Sequence, residues 1–216
     1  MRKRKRRKRL PKLTLILLIG IGIFTLNTLK TSVYKPKAEW YLLLVNKENK
    51  LPNKFSVPLL ELSNGKLIDE RIYPDLQEMF DDMRSIGIFP KLYSAYRNKE
   101  TQQELLNKEI NDYKELGHSK KEATSLAEKW VAPPNYSEHE TGLALDVNSE
   151  DGSTDEEVYS WLANNSYKYG FIIRYPQDKT YITGINYEPW HIRYVGKIAS
   201  EEIYNNQFCL EEYLKQ

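Results

Sequence analysis

Ser137-Glu-His-Glu-Thr-Gly-Leu-Ala-Leu-Asp146 is the stretch whose reading decides the fold. From Leu143 to Val147 the residues alternate at the two-residue period of a β-strand. Leu143, Leu145 and Val147 therefore share one side, and Ala144 and Asp146 the other. A carboxylate on a strand flanked by core residues needs a partner, because burying an unpaired charge is costly. A second stretch, Tyr187-Glu-Pro-Trp-His-Ile-Arg-Tyr-Val-Gly196, again sets a histidine and a carboxylate beside a strand, over residues 190–195.

Outward from these two strands, the pattern mixes helices with short strands. Leu76, Met79, Phe80 and Met83 recur at helical spacing over residues 75–86, with Pro74 near the start and Gly87 at the stop. Asn98 caps a helix that runs to about residue 116, and Gly117 ends it. Ser119-x-x-Glu122 and Thr154-x-x-Glu157 are capping boxes. The first opens a helix to about Trp130, ahead of Pro133-Pro134, and the second a helix ending at Tyr169-Gly170. Residues 40–45, 91–96 and 171–175 read as strands, and residues 197–214 as one or two closing helices. Without a βαβ rhythm this is an α+β fold, a small antiparallel sheet with flanking helices.

Zinc is commonly held by histidine nitrogen and carboxylate oxygen, and a catalytic zinc site keeps three protein ligands and one open position. His139, Asp146 and His191 would supply the three. Glu188, three residues before His191, is placed to act as general base, with Pro189 stiffening the path between them. His118, in a polar surface context, reads as solvated, and Arg174 and Arg193 as ion-pair partners on strands. No His-Glu-x-x-His helix is present, and spacing by itself leaves open that these histidines are structural.

The chain has 216 residues, 40% of them hydrophobic, and a single cysteine, Cys209, which excludes an intramolecular disulfide framework and a cysteine-based zinc finger. Its net charge of +2 is an average over two unlike parts. Residues 1–12 hold nine Lys/Arg and no acid, which leaves 23 basic against 30 acidic side chains in the remainder, a net of −7. An acidic body argues against nucleic acid as a partner. Leu13–Leu29 is seventeen residues without a charge, about 25 Å of helix at ~1.5 Å per residue and so the short end of a bilayer span. No small-x-small cleavage site follows it. The expected organisation is a basic cytoplasmic segment (1–12), a transmembrane signal anchor (13–29), a linker (30–39) and a folded domain (40–216) outside a cell membrane crossed once.

Ser94-Ala-Tyr-Arg-Asn-Lys-Glu-Thr-Gln102 precedes the two histidine segments, and the three in that order resemble the signature of the D-alanyl-D-alanine carboxypeptidase family. That zinc-dependent group includes the vancomycin-resistance carboxypeptidases and the L,D-carboxypeptidases of peptidoglycan. Leu42–Pro52 resembles its opening strand and Tyr169–Pro176 the segment before its last motif, so the similarity spans roughly Trp40 to Gly196. The resemblance implies Zn2+ as cofactor, bound by His139, Asp146 and His191. It implies Glu188 as catalytic base and Arg97 as the group facing the scissile carbonyl. It also implies Gln102 and Ser137 as lining for a substrate's C-terminal carboxylate. The implied substrate is the peptidoglycan stem peptide, losing its terminal D-alanine by D,D- cleavage of a pentapeptide or L,D- cleavage of a tetrapeptide, in wall maturation or glycopeptide resistance. An endopeptidase on the same scaffold and an inactive wall-binding module are the alternatives. Ala95 and Asn98 depart from the family's usual glycine and serine or threonine, and Ala95 would tighten the turn if that backbone needed glycine's freedom.

Overall fold

Residues 39–215 are described by a computed structural model. The basic segment, the anchor and all but the end of the linker lie outside them. Among the described residues no helix is long and apolar enough to cross a membrane.

In chain order the described elements are β1 (Leu59–Glu61), β2 (Leu67–Asp69), α1 (Tyr73–Ser85), β3 (Pro90–Ser94), α2 (Lys99–Glu115), α3 (Lys120–Ala127), β4 (Ala144–Ser149), α4 (Asp155–Asn165), β5 (Phe171–Ile173), α5 (Thr180–Thr183), β6 (His191–Tyr194), α6 (Lys197–Asn206) and α7 (Leu210–Tyr213). β1 and β2 form an antiparallel hairpin. The other four strands form one antiparallel sheet in the order β3-β4-β6-β5. The α+β class expected from the pattern is the one observed.

Alternation assigns the two faces of this sheet. Leu145 and Val147 of β4 and Ile192 and Tyr194 of β6 enter a cluster with Leu76, Met79 and Met83 of α1 and Val158 and Leu162 of α4. Burying each such side chain removes apolar area from water and contributes about 1.5–3 kcal/mol. A smaller cluster joins Ile172 and Val195 to Ala199, Ile203 and Leu210 of α6 and α7. The opposite residues of the two central strands pair directly, Ala144 with Arg193 and Asp146 with His191. The four side chains therefore share the face that carries the polar chemistry.

The caps act as the sequence indicated. Asn98 Oδ1 accepts from the Thr101 N–H at 2.8 Å, and Ser119 and Thr154 form full capping boxes. Four expectations change. Residues 40–45 are not a strand: Trp40–Leu42 is a 3-10 turn, and the Tyr41 and Leu43 carbonyls accept from the Arg193 guanidinium, each at 2.9 Å, in place of a neighbouring strand. α3 stops at Ala127, short of Trp130, and α4 stops at Asn165, with a 3-10 turn continuing to Tyr169. Arg174 follows β5 instead of lying on it, but both it and Arg193 are fully buried ion-pair partners.

Candidate metal and catalytic site

His139 sits in a 3-10 turn, Glu138–Thr141, that closes at Gly142 with φ of 73°. A Cβ on Gly142 would lie 2.9 Å from the Asp69 nitrogen, so this turn needs glycine both for its left-handed backbone and for its approach to β2. His139 Nδ1 lies 2.7 Å from the Ala95 carbonyl, which fixes the ring and leaves Nε2 pointing at Asp146. Ala95 itself has ordinary backbone and packs its methyl in the core, so the position does not need glycine's freedom. Burial, reinforced by Arg97, pushes the His139 imidazole down to about 4, and the neutral ring is the form that ligates metals.

Three donors converge. Asp146 Oδ2 is 3.4 Å from His139 Nε2, and Asp146 Oδ1 is 3.1 Å from His191 Nδ1. Zinc bonds of 2.0–2.1 Å in a tetrahedron place neighbouring donors about 3.3 Å apart. The donor atoms of the trio all lie within 4.8 Å of one another. His139 Nε2 and Asp146 Oδ1 are buried without a hydrogen-bond partner among the described residues, the state expected of atoms arranged for a cation rather than for each other. Donor type, separation and unmet valence all fit a zinc ion.

Glu188 enters through a turn. The His191 N–H donates to the Glu188 carbonyl at 3.2 Å, and Pro189 occupies the position where proline favours such turns. The turn folds the Glu188 carboxylate back to 3.3 Å from His191 Nδ1. Burial pushes the Glu188 carboxyl up to about 7, with Asp146 adding to the rise and His191 and Arg97 opposing it.

Arg97 borders the same cavity, with Nη2 3.5 Å from Asp146 Oδ2 and Nη1 donating to Gln102 Oε1 at 3.0 Å. Gln102 in turn donates to the Ala132 carbonyl at 2.7 Å. Buried Gln102 thus grips Arg97 through its amide oxygen as well as lining the cavity. Ser137, also buried, lines that cavity of about 270 Å3 together with all the residues of the cluster. His118 lies elsewhere, exposed against Tyr113.

Tyr175 was not singled out by the motifs, yet its ring lies 4.9 Å from that of His191 and it lines the cavity with Trp130 and Trp190. Burial first, then Glu138 and Glu188, holds its hydroxyl protonated, well above the usual tyrosine range. Its only sequence signal is its place within Tyr169–Pro176.

Residues 65–197 match the family described as VanY, D-alanyl-D-alanine carboxypeptidase. The chain belongs to this family. A D-alanyl-D-alanine carboxypeptidase of Enterococcus faecalis is 50% identical over 191 residues, covering 87% of this chain and 71% of the relative. The structure of VanYB in complex with D-alanine-D-alanine is similar with a TM-score of 0.82 at 50% identity, over 82% of this chain and 99% of that one. A mutant of the vancomycin resistance D,D-pentapeptidase VanY, in complex with Zn(II), has a TM-score of 0.80 at 51% identity over the same shares, 82% and 99%.

Proposed function

We propose that this chain is a zinc-dependent carboxypeptidase that removes the C-terminal D-alanine of peptidoglycan stem peptides. The observation that carries the reading is the convergence of His139, Asp146 and His191 with Glu188 and Arg97 on one cavity. Cleavage of the D,D bond of a pentapeptide is the favoured form, since the relatives at half identity are named for D-alanyl-D-alanine. L,D- cleavage of a tetrapeptide is the other substrate arm of the test.

His139 Nε2, an Asp146 oxygen and His191 Nδ1 are the atoms assigned to hold the ion. Bound zinc supplies Lewis acidity toward a carbonyl and lowers the pKa of water to about 7. Glu188 accepts a proton from the attacking water as the C–O bond forms. With a carboxyl pushed up to about 7, it can return that proton to the departing amine as the C–N bond breaks. Arg97 donates to the carbonyl oxygen as negative charge develops there, and Gln102 and Asp146 hold the guanidinium in place for that role. Ser137, and the cavity wall at Gln102, receive the terminal carboxylate that distinguishes a chain end from its middle.

Residues 13–29 anchor the chain in the cell membrane, residues 1–12 remain on the cytoplasmic side, and the domain that begins near residue 40 works outside. That reading is supported by the uncharged run and its basic flank. It predicts recovery in the membrane fraction and digestion of the domain by external protease in cells stripped of wall.

The deciding assay incubates the purified chain with synthetic penta- and tetrapeptide stems, with zinc or with chelator, and measures released D-alanine. Zinc-dependent release, faster from the pentapeptide, is expected. No release from either peptide with zinc loaded would overturn the assignment.

A further inference from the structure

Beside the metal-binding trio lies a buried charge network with no part in the proposed proton transfers, although its central Glu138 also borders the cavity. Glu138 Oε1 is 2.8 Å from Arg174 Nε and 2.7 Å from Arg193 Nη1. Arg174 is bound through two further nitrogens to both carboxylate oxygens of Glu211 on α7, at 2.9 and 2.7 Å. The side chains of Glu138, Arg174 and Arg193 have no solvent exposure, and that of Glu211 has 6%. Two guanidinium groups and two carboxylates balance, so the network introduces no net buried charge.

The positions of its members relate it to the site. Glu138 immediately precedes His139 in the 3-10 turn, and Arg193 follows His191 by two residues on β6, which puts both β6 side chains on one face. Arg193 lies directly across from Ala144, where a methyl leaves room for a guanidinium to cross β4 toward Glu138. The Arg174 N–H donates to the His191 carbonyl at 3.1 Å, so both arginines bound to Glu138 adjoin the segment that carries His191. The remaining Arg193 nitrogens are held by the carbonyls of Tyr41, Leu43 and Tyr194, which leaves the guanidinium little freedom to move.

Buried ion pairs generally contribute little net stability, since desolvation offsets the attraction, and their best attested use is to specify one geometry. We infer that Glu138 is a positioning residue for the metal site: its contacts with Arg193 and Arg174 clamp the turn bearing His139 to the strand bearing His191 and set the separation of the two histidines. The inference rests on the assignment of His139, Asp146 and His191 as the metal ligands. Within the network the two ends have different tasks. The Glu138 end sets donor geometry, and the Glu211 end ties α7 to the sheet.

The test measures zinc affinity by competition with a chromogenic chelator, and the melting temperature of the metal-free protein, for the full chain and its variants. Parent protein that fails to bind zinc would overturn the metal-site assignment itself, before any variant is compared. With parent binding established, Glu138→Gln is expected to weaken zinc about 10- to 100-fold, the loss typical of outer-shell partners. Glu211→Gln is expected to lower the metal-free melting temperature while leaving zinc affinity within about twofold, since the clamp is intact. Equal zinc affinity in Glu138→Gln and parent overturns the inference, and so does a parallel loss of stability and affinity in both variants. If Glu138→Gln does not fold, Glu138→Asp replaces it, keeping the charge on a shorter reach. Weaker zinc at an unchanged metal-free melting temperature supports the clamp, and parental affinity overturns it.

Discussion

Asp146 and His191 are direct cross-strand partners on β4 and β6, with Oδ1 3.1 Å from Nδ1. Antiparallel pairing sets that spacing, and the apolar alternation on the opposite face locks the register, since a slip of one residue would turn Asp146 into the core. Two of the three assigned ligands thus sit on the two central strands of the sheet, and the third, His139, arrives from a turn. The His139→Ala, His191→Ala double variant should therefore fold but purify without zinc. Metal analysis checks this, and undiminished zinc content would refute the ligand assignment.

Glu188 reaches the cluster through a proline turn, with its carboxylate 3.3 Å from His191 Nδ1 and its backbone hydrogen-bonded to His191 and Tyr175. Removing its charge should leave the donor trio in place. Glu188→Gln is expected to retain stoichiometric zinc and lose turnover by at least about 10²-fold, the lower range for general base removal. D-alanine release and metal content measured on one preparation decide it. Parental turnover in the variant would exclude Glu188 as the base.

Much of the site was legible because its members are local. His139 and Asp146 share one turn-and-strand segment, Glu188 and His191 one turn, and the caps at Asn98, Ser119 and Thr154 are signals within four residues. What was missed depends on distant partners. The apolar run at residues 40–45 looks like a strand, but its side chains divide between two clusters, Trp40 and Tyr41 in one and Leu42 and Leu44 in the other. Its carbonyls are taken by Arg193, some 150 residues away. The β1–β2 hairpin has strands of three residues, too short to show a period, although Asn64-Gly65 marks its turn. Gln102 is placed at the pocket by the family resemblance alone, and it does line the cavity. That it holds Arg97 depends on a turn of α2 facing the end of β3, which spacing does not reveal.

Arg97 is held by Gln102 on one side and Asp146 on the other, and its Nε is buried with no hydrogen-bond partner among the described residues. A guanidinium fixed at two points is already oriented for an incoming carbonyl. Arg97→Ala should lower kcat by about 10²- to 10³-fold, the loss typical for one oxyanion donor. Arg97→Lys should recover only part of this, because one ammonium cannot reproduce the planar fork. Gln102→Ala should lower kcat in the same direction and less, with zinc content unchanged. Steady-state kinetics on a pentapeptide distinguish the three, and a parental kcat for Arg97→Ala would remove it from the chemistry.

The Arg174–Glu211 pair should set the acid limit of the fold. Burial pushes the Glu211 carboxyl up, but the charge and hydrogen bonds of Arg174, with a further bond from Asn46, outweigh it and hold Glu211 at about 2 against an ordinary 4.5. A folded-state value below the unfolded one means that the stabilisation is complete above about pH 4.5 and is lost as the pH falls toward 2. At about 1.4 kcal/mol per unit the fold favours the ionised over the protonated Glu211 carboxyl by on the order of 3 kcal/mol, which is the pH-dependent part of the pair's energy and not its net worth. Urea unfolding of the metal-free parent and of Glu211→Gln, with chelator present so that zinc loss does not intrude, should show a gap that is constant from pH 7 to about 5 and narrows steadily below that. A gap that widened in acid would mean that Arg174 does not stabilise the Glu211 carboxylate in the folded protein.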